Sequence, residues 1–193
     1  MSPESRREQL LEIGLAMLAT RPLEELSIEL LAEEAGVSRG LLYHYFANKQ
    51  EFHLAVVRRA VADLIAITAP RDLDDPIDQL AASMGAYVDY VVDNYAGYVS
   101  LVRAAAGGNE ELRAIYDTAR SALTSRIFDA VGDDRLDELA LRDTAAMRLV
   151  VQGWAAMSEE LVIRWVAEPS TCTREELLRM LAGSLPSLVR LAP

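Results

Sequence analysis

The chain has 193 residues, 51% of them hydrophobic, and a formal net charge of -11. The apolar share is enough for a sizeable core, and the length allows one or two domains. The acidity excludes a sequence-independent nucleic-acid binder, whose affinity would come from a basic domain. Cys172 is the single cysteine and has no partner for an internal disulfide, which fits a reducing interior. The opening "MSPESRREQL" lacks an apolar signal core, and no apolar run approaches the roughly 18 residues of a membrane helix. These features predict a soluble cytoplasmic protein with no membrane partner. Glycines and prolines are few and β-branched runs are short, so an all-α fold is expected.

In chain order, residues 5–19 carry apolar side chains at a helical period, and Arg21-Pro22 ends that helix. Ser27 is a good N-cap for a second helix from Ile28 to Ala35, which Gly36 breaks. Ser38 caps a third, ending near Phe46. Asn48 caps a fourth, with Glu51 in a capping-box position and an apolar face of Phe52, Val56, Val57, Ala60 and Leu64. "APRDLDDPID" at 69–78 is a boundary, and Asp75-Pro76 opens a long helix from Ile77 toward Tyr95. Gly97 is expected to bend the chain before a shorter helix to Ala106. Gly107-Gly108 breaks again, Asn109 caps the next helix, and Gly132-Asp133-Asp134 stops it. A further helix is expected from about Asp137 to Ala167, ending at Pro169. Thr173 and Glu176 open the last one, to about Leu191, with Pro186 as a kink. About nine helices result.

Ala32, Gly36 and Val37 have the spacing of a helix-turn-helix: a small residue at the crossing, glycine in the turn, then an apolar plug. Leu31, Ala35, Leu42 and Phe46 would form its shared core. The second helix of such a pair enters the major groove. Its outward residues are Arg39 and Tyr43 on one face and Gly40 and His44 beside them. Arg39 can donate twice to guanine O6 and N7. Gly40 permits close approach to the groove wall, and Tyr43 and His44 can donate to phosphates. Lys49, the only lysine in the chain, stands in the first turn of the fourth helix, where its ammonium would join backbone N–H groups on a phosphate. Ser27 and Ser38 are placed to do the same at the other two helix starts. From Gly36 to Ala60 there are four positive residues and one acid, a local +3 on an acidic chain.

The segment "ELSIELLAEEAGVSRGLLYHYFANKQEF" resembles the DNA-binding region of the TetR family of bacterial transcriptional repressors. The likeness covers roughly Arg6 to Val57 and is strongest from Ala35 to Lys49. It implies that Arg39, Gly40, Tyr43 and Tyr45 approach DNA and that Lys49 holds a phosphate. Leu41 is bulkier than the residue often found at its position, and it could pack on a thymine methyl. Beyond Val57 the resemblance is only in size and helix count.

The C-terminal stretch "TAAMRLVVQGWAAMSEELVIRWV" is apolar on nearly all sides, which predicts burial by more than one neighbour. The family resemblance implies a dimer interface from the last two helices, here with Gly153, Met157, Leu161, Leu177, Leu181 and Leu185. An aromatic cluster with polar tips suits a small-molecule pocket. Its candidates are Met84, Tyr87, Tyr90, Tyr98, Tyr116 and Trp154, with Arg103 or Arg120 to pair an acidic group. The expected organisation is a three-helix DNA-binding domain at 1–47 and a regulatory domain at 48–193, joined through the helix at 48–68. The expected function is a homodimeric repressor, released from a palindromic double-stranded DNA operator by a small apolar or amphipathic effector. Two other classes stand beside it: a protein-interaction adaptor, and a helical enzyme with a non-functional helix-turn-helix. No nucleophile–base pair, metal-ligand spacing or phosphate loop marks an enzyme, and no metal or cofactor is expected.

Overall fold

A computed structural model describes residues 2–70, 73, 75–129 and 142–190. Among them the chain forms nine α-helices, one 3-10 turn and no strand. The first four are α1 (Pro3–Thr20), α2 (Ile28–Ala35), α3 (Arg39–Tyr45) and α4 (Lys49–Ile67), with the 3-10 turn Leu23–Glu25 between α1 and α2. Then follow α5 (Pro76–Asp93), α6 (Tyr95–Ala106), α7 (Glu110–Asp129), α8 (Ala145–Ala167) and α9 (Arg174–Val189). The all-α expectation holds. No described helix is long and apolar enough to cross a membrane.

Local chemistry sets most of the helix starts. Ser27 and Ser38 accept from the amides of Leu30 and Leu41, at 3.1 and 3.3 Å. Asn109 accepts from Leu112 at 3.1 Å, and Asp75 takes the amide of Ile77 at 2.7 Å ahead of Pro76. Thr173 and Glu176 form a reciprocal capping box at α9. Each removes one of the orphan donors of a helix N-terminus, typically worth about 1 kcal/mol. Pro186 lies inside α9, which runs through it to Val189.

Three boundaries differ from expectation. The break between α5 and α6 falls at Asn94, not Gly97. Gly97 sits buried inside α6, where it permits close contact: a Cβ there would lie 2.4 Å from the Leu18 carbonyl oxygen. The second concerns α8, which begins at Ala145, capped by Thr144 in extended conformation. Residues 142–144 are not helical, and the expected start near Asp137 and the stop at 132–134 lie outside the described residues. At α4, Asn48 caps Glu51 as expected, at 2.9 Å, but the Glu51 carboxylate returns to the amide of Ala47, one residue earlier than a capping box requires.

The chain packs as two compact units. The first contains residues 1–63 and 93–116, and its core joins Leu10, Leu31, Leu42, Phe46, Phe52 and Val56 with Leu112 of α7. α1 is central to it, touching α2 and, most extensively, α6. The second contains residues 64–92 and 117–193. There α8 packs on α9, and Trp154 ties them: its indole N–H donates to the Leu181 carbonyl and to Ser184 Oγ, at 3.2 and 2.9 Å. Arg174, at the start of α9, pairs with both carboxylate oxygens of Asp89 on α5.

Two glycines let helices approach α1. At Gly14 an added Cβ meets side-chain atoms, Val56 Cγ2 at 2.7 Å and Phe52 Cε2 at 3.0 Å, whereas at Gly97 it meets backbone. Side chains can rotate away; a helix carbonyl cannot. Gly97→Ala is therefore expected to destabilise by about 1–3 kcal/mol, despite the better helix propensity of alanine, and Gly14→Ala by less. Urea unfolding of both variants checks this order.

Candidate nucleic-acid interface

α2 and α3 are joined by a turn that only a flexible backbone adopts cheaply. Gly36 has φ 64° and ψ 34°, the left-handed region. Its amide bonds to the Glu33 carbonyl, and that of Val37 to the Ala32 carbonyl, at 3.1 and 3.0 Å. This is a Schellman motif, and it turns the chain sharply into α3.

α3 has two unlike sides. Leu42 and Phe46, four residues apart, have 0% exposure and lock the helix into the core. Phe46 stacks obliquely on Phe52 of α4, ring centres 5.3 Å apart, and the Arg7 guanidinium lies over its outer face. On the other side Arg39, Gly40, Leu41, Tyr43 and His44 are exposed. Tyr43 is 51% exposed and Leu41 37%. Nothing lies within 4 Å of a Cβ built on Gly40, so that side of α3 is open. Tyr45 is half-buried against the core, its ring nearly perpendicular to that of His44. The exposed Arg39 makes a long ion pair, 3.8 Å, with Glu29 in the first turn of α2. At that exposure the pair is worth little, so it steers the guanidinium without holding it.

Lys49 is the first residue of α4, and its ammonium donates to the Glu24 carbonyl at 2.8 Å. Two protons of the ammonium remain for an anion. Four residues on, His53 Nε2 lies 2.8 Å from the Leu26 carbonyl oxygen. That oxygen only accepts, so Nε2 carries the hydrogen, and burial holds the imidazole below its ordinary value. Ser27 and Ser38 open α2 and α3, their hydroxyl oxygens occupied by capping and their hydroxyl hydrogens available. Of the cations near this face, Arg59 is taken up internally by Glu8 and Asp63. Among the described residues no group of three His, Cys, Asp or Glu could hold a metal ion.

The other candidates are placed less uniformly. Tyr98, Arg103 and Tyr116 belong to the first unit, and Met84, Tyr87, Tyr90, Arg120 and Trp154 to the second. Met84 and Trp154 are buried, the five residues Tyr87, Tyr90, Tyr98, Tyr116 and Arg120 are half-buried, and Arg103 is exposed. Trp154 turns its only polar atom toward α9, so it offers a ligand no hydrogen bond. Of the six interface candidates, Leu177, Leu181 and Leu185 are already covered by their own chain, at 2%, 0% and 4% exposure. They face inward because α9 puts that side against α8. Gly153, Met157 and Leu161 face outward. Leu149 and Met180 are outward apolar residues that the sequence reading does not single out; the available signal is that they lie opposite the buried Val151 and Ala182 on their helical wheels.

Comparison with known proteins gives two family matches. Residues 10–56 match "Bacterial regulatory proteins, tetR family", and residues 76–185 match "Tetracyclin repressor-like, C-terminal domain". The chain is 26% identical over 165 residues to the HTH-type transcriptional activator FasR of Mycolicibacterium smegmatis, covering 84% of this chain and 73% of that protein. It is 47% identical over 47 residues to the HTH-type transcriptional repressor KstR2 of Mycobacterium tuberculosis, 24% of each chain. Its fold is similar to that of a tetR-family transcriptional regulator from Streptomyces coelicolor, with TM-score 0.83, 29% identity, and coverage of 99% of this chain and 83% of that one. With both halves matched, and with a helix-turn-helix open on its outer side, the chain belongs to the TetR family and is a DNA-binding transcriptional regulator.

Proposed function

We propose that the chain is a homodimeric cytoplasmic repressor that leaves a palindromic operator when a small apolar or amphipathic molecule binds its regulatory part. The functional division lies near residue 47, with α4 leading from one part to the other. What carries the reading is the outer side of α3: it combines a guanidinium, an open glycine, a phenol and an imidazole within Arg39–His44. Arg39 reads a guanine edge in the major groove. Gly40 lets the helix sit close, Leu41 packs on a thymine methyl, and Tyr43, His44 and Tyr45 donate to phosphates. Lys49, Ser27 and Ser38 add phosphate contacts at three helix starts.

Repression is favoured because occupying an operator blocks transcription by itself, whereas activation requires a further surface for polymerase. The similarity to a named activator keeps activation as the second reading, and a promoter fusion with and without the protein decides the sign.

Dimerisation is supported by an exposed ridge on α8. Leu149, Gly153, Met157 and Leu161 recur every fourth residue, and the three large ones are 69%, 39% and 39% exposed. Met180 on α9, 53% exposed, adds to this apolar surface. A row spaced by four is the ridge that helices interdigitate, and glycine permits close approach. The effector reading rests on Met84, Tyr87 and Tyr90 of α5 with Trp154 and Arg120, all in the second unit and none exposed, residue types of the kind that line small-molecule sites.

Operators recovered by selection from random duplexes provide the probe. Lys49→Ala should weaken all sequences about equally and flatten the salt dependence by roughly one unit, the share of one phosphate. Arg39→Ala should instead relax base preference, at about 1–3 kcal/mol. Unchanged affinity in both variants sinks the assignment. A Cβ built on Gly153 has nothing within 4 Å among the described residues and the position is exposed, so Gly153→Arg should fold, yet sediment as a monomer because a dimer would bury the charge. A wild type that is monomeric at micromolar concentration removes the interface. For the effector, compounds that raise the melting temperature should also lower operator affinity; a tenfold loss needs only about 1.4 kcal/mol of preference for the released form.

A further inference from the structure

The turn before α2 is held from two sides by groups far apart in sequence. From one side, α4 donates twice: Lys49 to the Glu24 carbonyl and His53 to the Leu26 carbonyl, each at 2.8 Å. From the other side comes Ser100 of α6, only 5% exposed. Its Oγ accepts from the buried amide of Leu23 at 2.9 Å and donates to Glu24 Oε2 at 2.8 Å. One hydroxyl thus fills both of its roles within two consecutive residues. The Glu24 carboxylate is held below its usual range by its own backbone amide and by Ser100, with His53 and Arg103 adding to the effect.

α6 lies within the stretch that matches the C-terminal family model, yet it packs on α1 and on this turn. Its approach is fixed by Gly97, one turn before Ser100, where even a methyl group would strike the Leu18 carbonyl. A helix in that position cannot slide along α1 without breaking the Ser100 bonds. If they break, the turn is freed on one side, and with it the carbonyl that holds the Lys49 ammonium.

We propose that Ser100 is a positioning residue for DNA binding: through the Leu23 amide and the Glu24 carboxylate it fixes the turn whose carbonyl aims Lys49, and so gives α6 control of a phosphate contact. Control of the DNA-binding face thus runs through the turn before α2. The proposal rests on the DNA-binding reading above. Leu23, Glu24, Lys49, His53 and Ser100 all belong to one compact unit, so the linkage is internal to it.

A double-mutant cycle on a selected operator duplex tests it. Ser100→Ala should weaken binding by about tenfold, the scale of a lost buried hydrogen bond. It should also lower the salt slope by about one, as Lys49→Ala does. In a Lys49→Ala background the same change should cost under about threefold, because the group it positions is gone. Should Ser100→Ala fail to fold, Glu24→Ala and Glu24→Gln supply the same test from the exposed side. Both remove one charge, but only glutamine keeps an acceptor for the Ser100 hydroxyl. Glu24→Gln should therefore bind at least about threefold tighter than Glu24→Ala. Multiplicative losses in the cycle, an unchanged salt slope in Ser100→Ala, or equal affinities of the two Glu24 variants overturn the positioning role while leaving DNA binding intact. A wild type that selects no duplex, or a Lys49→Ala variant that binds as well as wild type, overturns both.

Discussion

A helix of seven residues does not persist in water on its own. α3 is such a helix, and its exposed outer side, which we propose meets DNA, exists only because the rest of the first unit holds it. It is pinned by Leu42 and Phe46, two fully buried side chains one turn apart, and by the left-handed Gly36 that sets its direction. Phe46 touches Phe52 of α4, and Phe52 and Val56 close on Gly14 of α1. One continuous apolar contact therefore runs from α3 into the centre of the unit. Because the inner side is taken up by this anchor, Arg39, Gly40, Tyr43 and His44 have only the outer side to occupy.

The electrostatics follow from the same arrangement. An overall charge of -11 repels DNA at long range, and salt screens that repulsion beyond about 10 Å at 0.1 M. Close to the surface, Arg39 and Lys49 stand beside exposed acids, and each is given a direction by a neighbour rather than left to wander. Arg39 leans toward Glu29, and Lys49 is bound to the Glu24 carbonyl. With the DNA contacts proposed above, cations that are already aimed favour an oriented encounter over sliding along any duplex. The carbonyl contact also lowers the conformational freedom that Lys49 would otherwise lose on binding a phosphate.

The legible parts of this structure are those with local causes. Ser27, Ser38, Asn48, Asp75, Asn109 and Thr173 mark helix starts because a short polar side chain reaches an amide two or three residues ahead. Gly36 is legible as a turn because the apolar period stops on both sides of it. The outer side of α3 is legible because helical spacing separates Arg39 and Tyr43 from Leu42 and Phe46. Contacts between distant segments leave no such trace. Gly97 looks like a breaker in sequence, yet it lies inside α6, and what requires a glycine there is Leu18, 79 positions away, which leaves no room for a side chain. Ser100 and Glu24 carry no local sign of their bond. That Leu177, Leu181 and Leu185 face inward is hidden for the same reason: periodicity shows that they share a face but not what covers it.

The central claim is that the outer side of α3 and the starts of α2 and α4 form the surface that meets DNA. Amide NMR of the isotope-labelled protein, titrated with a selected operator duplex, tests it most directly. The expected shifts cluster at Ser27, across 38–45 and at 47–50, with the largest changes at Arg39, Gly40 and Lys49. Shifts concentrated instead on α8 and α9, or a spectrum unmoved by a duplex that the protein binds, would contradict it.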